Sequence, residues 1–126
     1  MPYEKIRGRG IRFRYTEIEG DSIGHAWFFK PRDLRGKILR VRYSGIVPCE
    51  MVFKIARSSE SAAVSSRVRL ESSSETKTFA LRIPAAFPFR EVSVFKFEIE
   101  KETAGRPYGD FLIEKVEILK PWEARL

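Results

Sequence analysis

The chain has 126 residues, 43% of them hydrophobic and 33% charged, with ten Phe, four Tyr and two Trp. That size fits one domain spanning 1–126 around a single core, and the aromatic content excludes a disordered chain. Lys and Arg outnumber Asp and Glu by 24 to 17, a formal net charge of +7, and no apolar run approaches the ~20 residues of a membrane-spanning helix.

Along the chain, apolar and polar residues alternate with a period of two, the mark of strands with one buried face. Ile11-Arg12-Phe13-Arg14-Tyr15 is the first such run, followed by Leu39–Tyr43 and Met51–Ile55. Phe79–Ile83 and Phe95–Ile99 continue the rhythm. The last run, 111–119, slips by one residue near Glu114-Lys115, as a β-bulge requires. The best short helical stretch is Ser58–Val64, with a further strand over Ser66–Leu70, inside a Ser-rich connection from Ser58 to Ser74. Gly and Pro clusters separate the runs, for example Arg35-Gly36, Ser44-Gly45 and Gly105-Arg106-Pro107-Tyr108-Gly109. Seven to nine short strands with this punctuation predict an all-β antiparallel sandwich or barrel, with no linker and no internal repeat.

Cys49 and His25 are each single. They exclude an internal disulfide, a Cys-based metal cluster and a zinc site built on several His. His25, inside Gly24-His25-Ala26-Trp27-Phe28-Phe29, reads as a packed or turn residue rather than a catalyst. Met1–Lys5 lacks the basic-then-apolar layout of a secretion signal. An excised module would therefore be extracellular and a full-length protein cytoplasmic. Charge is uneven: residues 1–57 carry thirteen Lys and Arg, nine of them Arg, against six acids, whereas 58–126 balance at eleven each.

Four segments in order resemble the galactose-binding-like jelly-roll family, which includes many carbohydrate-binding modules. Asp33-Leu34-Arg35-Gly36 precedes the strand at Leu39, and Thr78–Pro84 ends in Ile-Pro. Val92–Ile99 supplies a Phe-x-Phe strand, and Gly109–Ile118 closes the set with Glu114 where the family carries Asp. The resemblance covers about residues 25–119. It implies a jelly-roll β-sandwich that binds a polysaccharide or oligosaccharide on a sheet face or on loops at one edge.

If the apolar members of the strands face inward, Arg40, Arg42, Lys54, Arg82 and Lys96 face outward with Glu98, and in one sheet they form a basic face. Such a face favours carboxylated or sulfated sugars over a neutral glucan, unless Glu71, Glu91, Glu98 and Glu100 neutralise it. Neutral-sugar binding needs exposed aromatic platforms. Trp27 and Tyr108 are the leading candidates, with Trp122, Tyr15 and Tyr3 behind them. One parity of Trp27-Phe28-Phe29 must point inward, so core packing is the alternative for Trp27. Acidic residues outside strands are usually just solvated, which argues against catalysis by a carboxylate pair. No cofactor is expected, except that Glu17 or Glu19 with Asp110 or Glu114 would form a structural calcium site.

The function expected is therefore a non-catalytic carbohydrate-binding or accessory module for acidic glycans. One alternative is a protein-interaction or assembly domain whose basic sheet face meets an acidic protein partner. Another is single-stranded nucleic-acid binding through the basic stretch Lys5–Tyr15. No membrane partner is expected.

Overall fold

A computed structural model of the chain describes residues 3–6, 10–57 and 63–124, with side chains described for 10–57 and 64–123. Among the described residues nine strands follow one another: β1 (Tyr3–Ile6), β2 (Gly10–Tyr15), β3 (Ser22–Arg32), β4 (Ile38–Ile46) and β5 (Glu50–Ala56), then β6 (Ala63–Arg69), β7 (Ser73–Arg82), β8 (Val92–Glu100) and β9 (Gly109–Leu119). A 3-10 turn, Pro121–Ala124, ends the described chain. The strands form a five-stranded sheet, β1-β2-β9-β4-β7, and a four-stranded sheet, β3-β8-β5-β6, and every pairing is antiparallel. The two stack as a sandwich, the expected fold class.

Alternation sorts the side chains between core and solvent. Phe13 on β2 and Phe111 on β9 point from the five-stranded sheet onto Phe97 of β8. The Phe13 ring meets Phe97 edge-on at 5.1 Å and stacks on Phe111 at 5.5 Å. Further along, Phe53 of β5 stacks on Phe95 at 5.7 Å and touches Phe79 of β7 at 5.0 Å. All of these except the half-buried Phe79 are buried, and among the described residues no charged group joins them. Such aromatic pairs add about 0.5–1.5 kcal/mol each beyond the area they bury.

The slip expected near Glu114-Lys115 is present. Arg42 pairs with Lys115 and its neighbour Tyr43 with Ile113, so Glu114 is the extra residue. Gly10 crosses this bulge with φ of 98°, and a Cβ there would lie 2.8 Å from the Glu114 carbonyl oxygen. Only glycine fits both the backbone angle and the close approach.

The Asp-Leu-Arg-Gly segment is a structural turn. The Asp33 carboxylate accepts the Arg35 backbone N–H at 3.0 Å and its guanidinium at 2.6 Å. Leu34 is buried in the core, and Gly36 N–H donates to the Ile83 carbonyl, which joins this turn to the Ile-Pro strand end. Two segments read differently from the sequence. Ala63 and Val64, the end of the helical candidate, open β6, and the rest of it (58–62) lies outside the described residues. Val64–Arg69 thus extends the strand expected from Ser66, and Ser22–Arg32, read only as an apolar-aromatic run, forms a full strand.

Replacing Phe97 by Ala should lower unfolding free energy by about 3–5 kcal/mol, and Gly10→Ala by about 2 kcal/mol or more. Urea denaturation of the two variants checks both.

Candidate functional site

The outward cations do not share one face. Arg40 and Arg42 on β4 and Arg82 on β7 belong to the five-stranded sheet, whereas Lys54 on β5 and Lys96 on β8 belong to the four-stranded one. The single basic face expected from the sequence is therefore split between opposite sides of the sandwich. Alternation within a strand says which face of its own sheet a residue takes, but not which sheet the strand joins.

On the five-stranded sheet the arginines are paired with carboxylates. Glu117 accepts two hydrogen bonds from Arg40, at 3.0 and 3.1 Å, while Arg42 and Lys115 approach at 3.5 and 3.6 Å. Arg40 and Glu117 are only 12% and 14% exposed, so this guanidinium is engaged in the sheet. Asp110 is gripped by Arg12 at 2.8 and 2.6 Å and approached by Arg14 at 3.5 Å. Hydrogen bonding from Arg12 holds the Asp110 carboxyl below its ordinary pKa, and Arg40 does the same for Glu117.

Two of the four carboxylates named for a calcium site have side-chain partners of their own. Asp110 is held by arginines, Glu114 accepts the Thr76 hydroxyl at 2.7 Å, and Glu17 and Glu19 stand exposed in the β2–β3 connection. Among the described residues no three Asp, Glu, His or Cys come together as ligands of one ion.

The four-stranded sheet has a different outer face. On β3, Ile23, His25, Trp27 and Phe29 take the inward parity, which leaves Phe28 outward and 68% exposed. Its cross-strand neighbour Val94 and the next residue in that row, Ala56, are both buried. The adjacent row runs Ala26, Lys96, Lys54 and Ser65, and the one after it Gly24, Glu98, Val52 and Arg67. Gly24 lets β3 approach β8 closely, since a Cβ there would collide with the Phe97 carbonyl oxygen. Small side chains at 24 and 26 keep the ground beside Phe28 low. Lys54 donates to Glu98 at 2.9 Å, whereas Lys96 makes no ion pair among the described residues. An apolar ring, a free cation and a polar Lys–Glu pair thus lie within three adjacent rows.

Trp27 is not an open platform. It is half-buried, stacked on Phe95 at 5.5 Å and edge-on to His25 at 4.9 Å. Burial lowers the His25 pKa, consistent with a packed imidazole. Tyr108 is 49% exposed in the β8–β9 loop, with the Arg106 guanidinium 5.9 Å from its ring centre. That loop also lines an open recess of about 360 Å³ with Ile18 and Lys101, at the far end from the Phe28 surface. Tyr15 is buried beneath Gly109, its pKa pushed up to about 12 by desolvation, and Trp122 is exposed in the 3-10 turn. The Tyr3 side chain, and Arg7 to Arg9 of the proposed nucleic-acid segment, lie outside the described residues. Phe28 is the residue sequence reading missed. Its signal was available, because an inward Trp27 forces its neighbour outward.

No family model and no curated protein matches the chain by sequence. Among solved structures, a family 61 carbohydrate-binding module in complex with β-1,4-galactotriose superposes with TM-score 0.52 at 11% identity, over 94% of this chain and 80% of that one. A family 16 carbohydrate-binding module gives TM-score 0.45 at 13% identity, over 87% and 77% of the two chains.

Both lowered carboxyls predict an acid limit to stability. The folded chain binds fewer protons than the unfolded one near the ordinary carboxyl pKa of about 4. The contribution of Asp110 and Glu117 is thus complete above that value and lost as pH falls through their lowered folded pKa values. Urea midpoints should fall as pH is lowered below about 5, and the fall should be smaller in Arg40→Gln. The chain thus has the antiparallel β-sandwich fold seen in the family 61 carbohydrate-binding module on which it superposes.

Proposed function

We propose that the chain is a non-catalytic carbohydrate-binding module whose sugar ligand lies across the outer face of the four-stranded sheet. The observation that carries this reading is Phe28, a large apolar ring held in solvent on a rigid strand beside Lys96, Lys54 and Glu98. A pyranose has one face of C–H groups that covers such a ring, and the water released favours binding. Hydroxyls of the next sugar along the chain then meet the Lys54 ammonium as donor and the Glu98 carboxylate as acceptor. Strand-borne side chains need little ordering on binding, which supports affinity from a small contact.

Lys96 refines the ligand class. Lacking a carboxylate partner among the described residues, it favours a sugar that brings its own, as a uronic acid does. The neighbour's galactotriose supports an oligosaccharide as ligand. Catalysis would need two carboxyls facing each other across the substrate. On this face Glu98 is held by Lys54 and Glu100 by Arg67, which supports a binding role.

Titration calorimetry with a neutral galactotriose and with a trimer of galacturonic acid tests the reading. The acidic trimer should bind more tightly, and Phe28→Ala should weaken both by tenfold or more, about the free energy of uncovering one ring. Lys96→Gln should bring the acidic trimer down toward the neutral one. Unchanged affinity in Phe28→Ala, or no heat from either trimer with the wild type, would overturn it.

A further inference from the structure

The opposite face of the sandwich carries a second pattern that the Phe28 site does not use. Six described cations point outward there: Arg12 and Arg14 on β2, Arg40 and Arg42 on β4, Lys115 on β9 and Arg82 on β7. Among the described side chains three carboxylates oppose them, Asp110, Glu114 and Glu117. Each shared carboxylate has a primary partner that grips it twice, Arg12 on Asp110 and Arg40 on Glu117. Arg14 and Arg42 make only the longer contacts at 3.5 Å and are 59% and 43% exposed. They are aligned by the shared carboxylates, and neither makes a closer ion pair among the described residues. Arg82 makes no ion pair among the described residues.

The register sets where these cations lie. Arg14 stands opposite Asp110 at one end of β9, Arg42 opposite Lys115 in its middle, and Arg82 joins Ile38 and Leu119 at the other end. With about 3.3 Å per residue along a strand and about 4.8 Å between strands, they trace an oblique stripe roughly 30 Å long. We propose that this stripe is a second binding surface, for a linear polyanionic polysaccharide, on the sheet opposite the Phe28 site.

Charge complementarity selects the polyanion, because the face keeps a cationic excess after its internal pairs are made and the guanidinium fork matches planar anionic groups. Its strands expose no aromatic ring among the described residues, so the bases of a single-stranded nucleic acid find no stacking platform. A protein partner would need a buried apolar or aromatic anchor. Among the described residues the one exposed large apolar side chain on these strands is Ile46, at the end of β4. A flexible chain bearing an anionic group on successive sugars needs neither. The inference does not depend on the Phe28 reading, since the two surfaces lie on different sheets.

The test compares two triple variants of equal net charge on heparin. In the first, Arg14, Arg42 and Arg82 become Gln, and Asp110 and Glu117 keep their primary partners so the fold persists. In the second, Arg69, Arg90 and Lys101, all off this sheet, become Gln. Thermal unfolding confirms that both are folded. The first should elute from heparin at clearly lower salt than the second, and the log–log salt slope of its heparin affinity should be smaller by about two to three. Equal shifts in the two variants would overturn the proposal, as would an oligo-dT that binds the wild type as tightly as heparin at the same salt. Galactotriose titration of the first variant keeps the two faces apart: the Phe28 reading fails there without touching this one.

Discussion

Contact between Phe13 and Phe111 on one sheet and Phe97 on the other is the interaction from which the rest of the molecule follows. Three fully buried rings from three strands, β2, β9 and β8, pack the interior, and among the described residues no charged side chain is buried. Every strand that contributes a ring must then turn its alternate residues to solvent. The outward residues of the described strands consequently form two outer faces, one on each sheet.

The two faces solve the problem of exposed polar groups differently. On the five-stranded sheet, arginines share carboxylates, and each such pair is worth little by itself at the surface. Their effect is positional: guanidinium groups stand in fixed places with donors left over. On the four-stranded sheet, glycine and alanine at 24 and 26 keep the surface low, and one aromatic ring rises above it. The first arrangement leaves paired and partly exposed cations at the surface, and the second leaves a ring there. A chain with a net charge of +7 gathered in its first half displays both without disturbing the shared core.

Much of this was legible in the residue order. The period of two, the turn residues and the slip at Glu114-Lys115 each have one local physical cause, and each is present. The segment from Asp33 to Gly36 shows how motif and mechanism separate. It carries the family resemblance, yet it acts through backbone hydrogen bonds and a buried leucine that close one end of the core. The platform was harder to see. Trp27 drew attention by its size, whereas the outward parity belonged to Phe28.

The amino-acid order by itself determined which side chains are inward and which outward, because alternation is a property of each strand alone. It determined the all-β class for the same reason, since strands with one greasy face must cover those faces, while the choice of a sandwich over a barrel came from the family resemblance. Only the tertiary structure decided which strands share a sheet, because that depends on long connections crossing between layers. That assignment separated Lys54 and Lys96 from Arg40, Arg42 and Arg82. It also brought Glu117 against Arg40 and Asp110 against Arg12, contacts between residues 77 and 98 positions apart that no local pattern encodes.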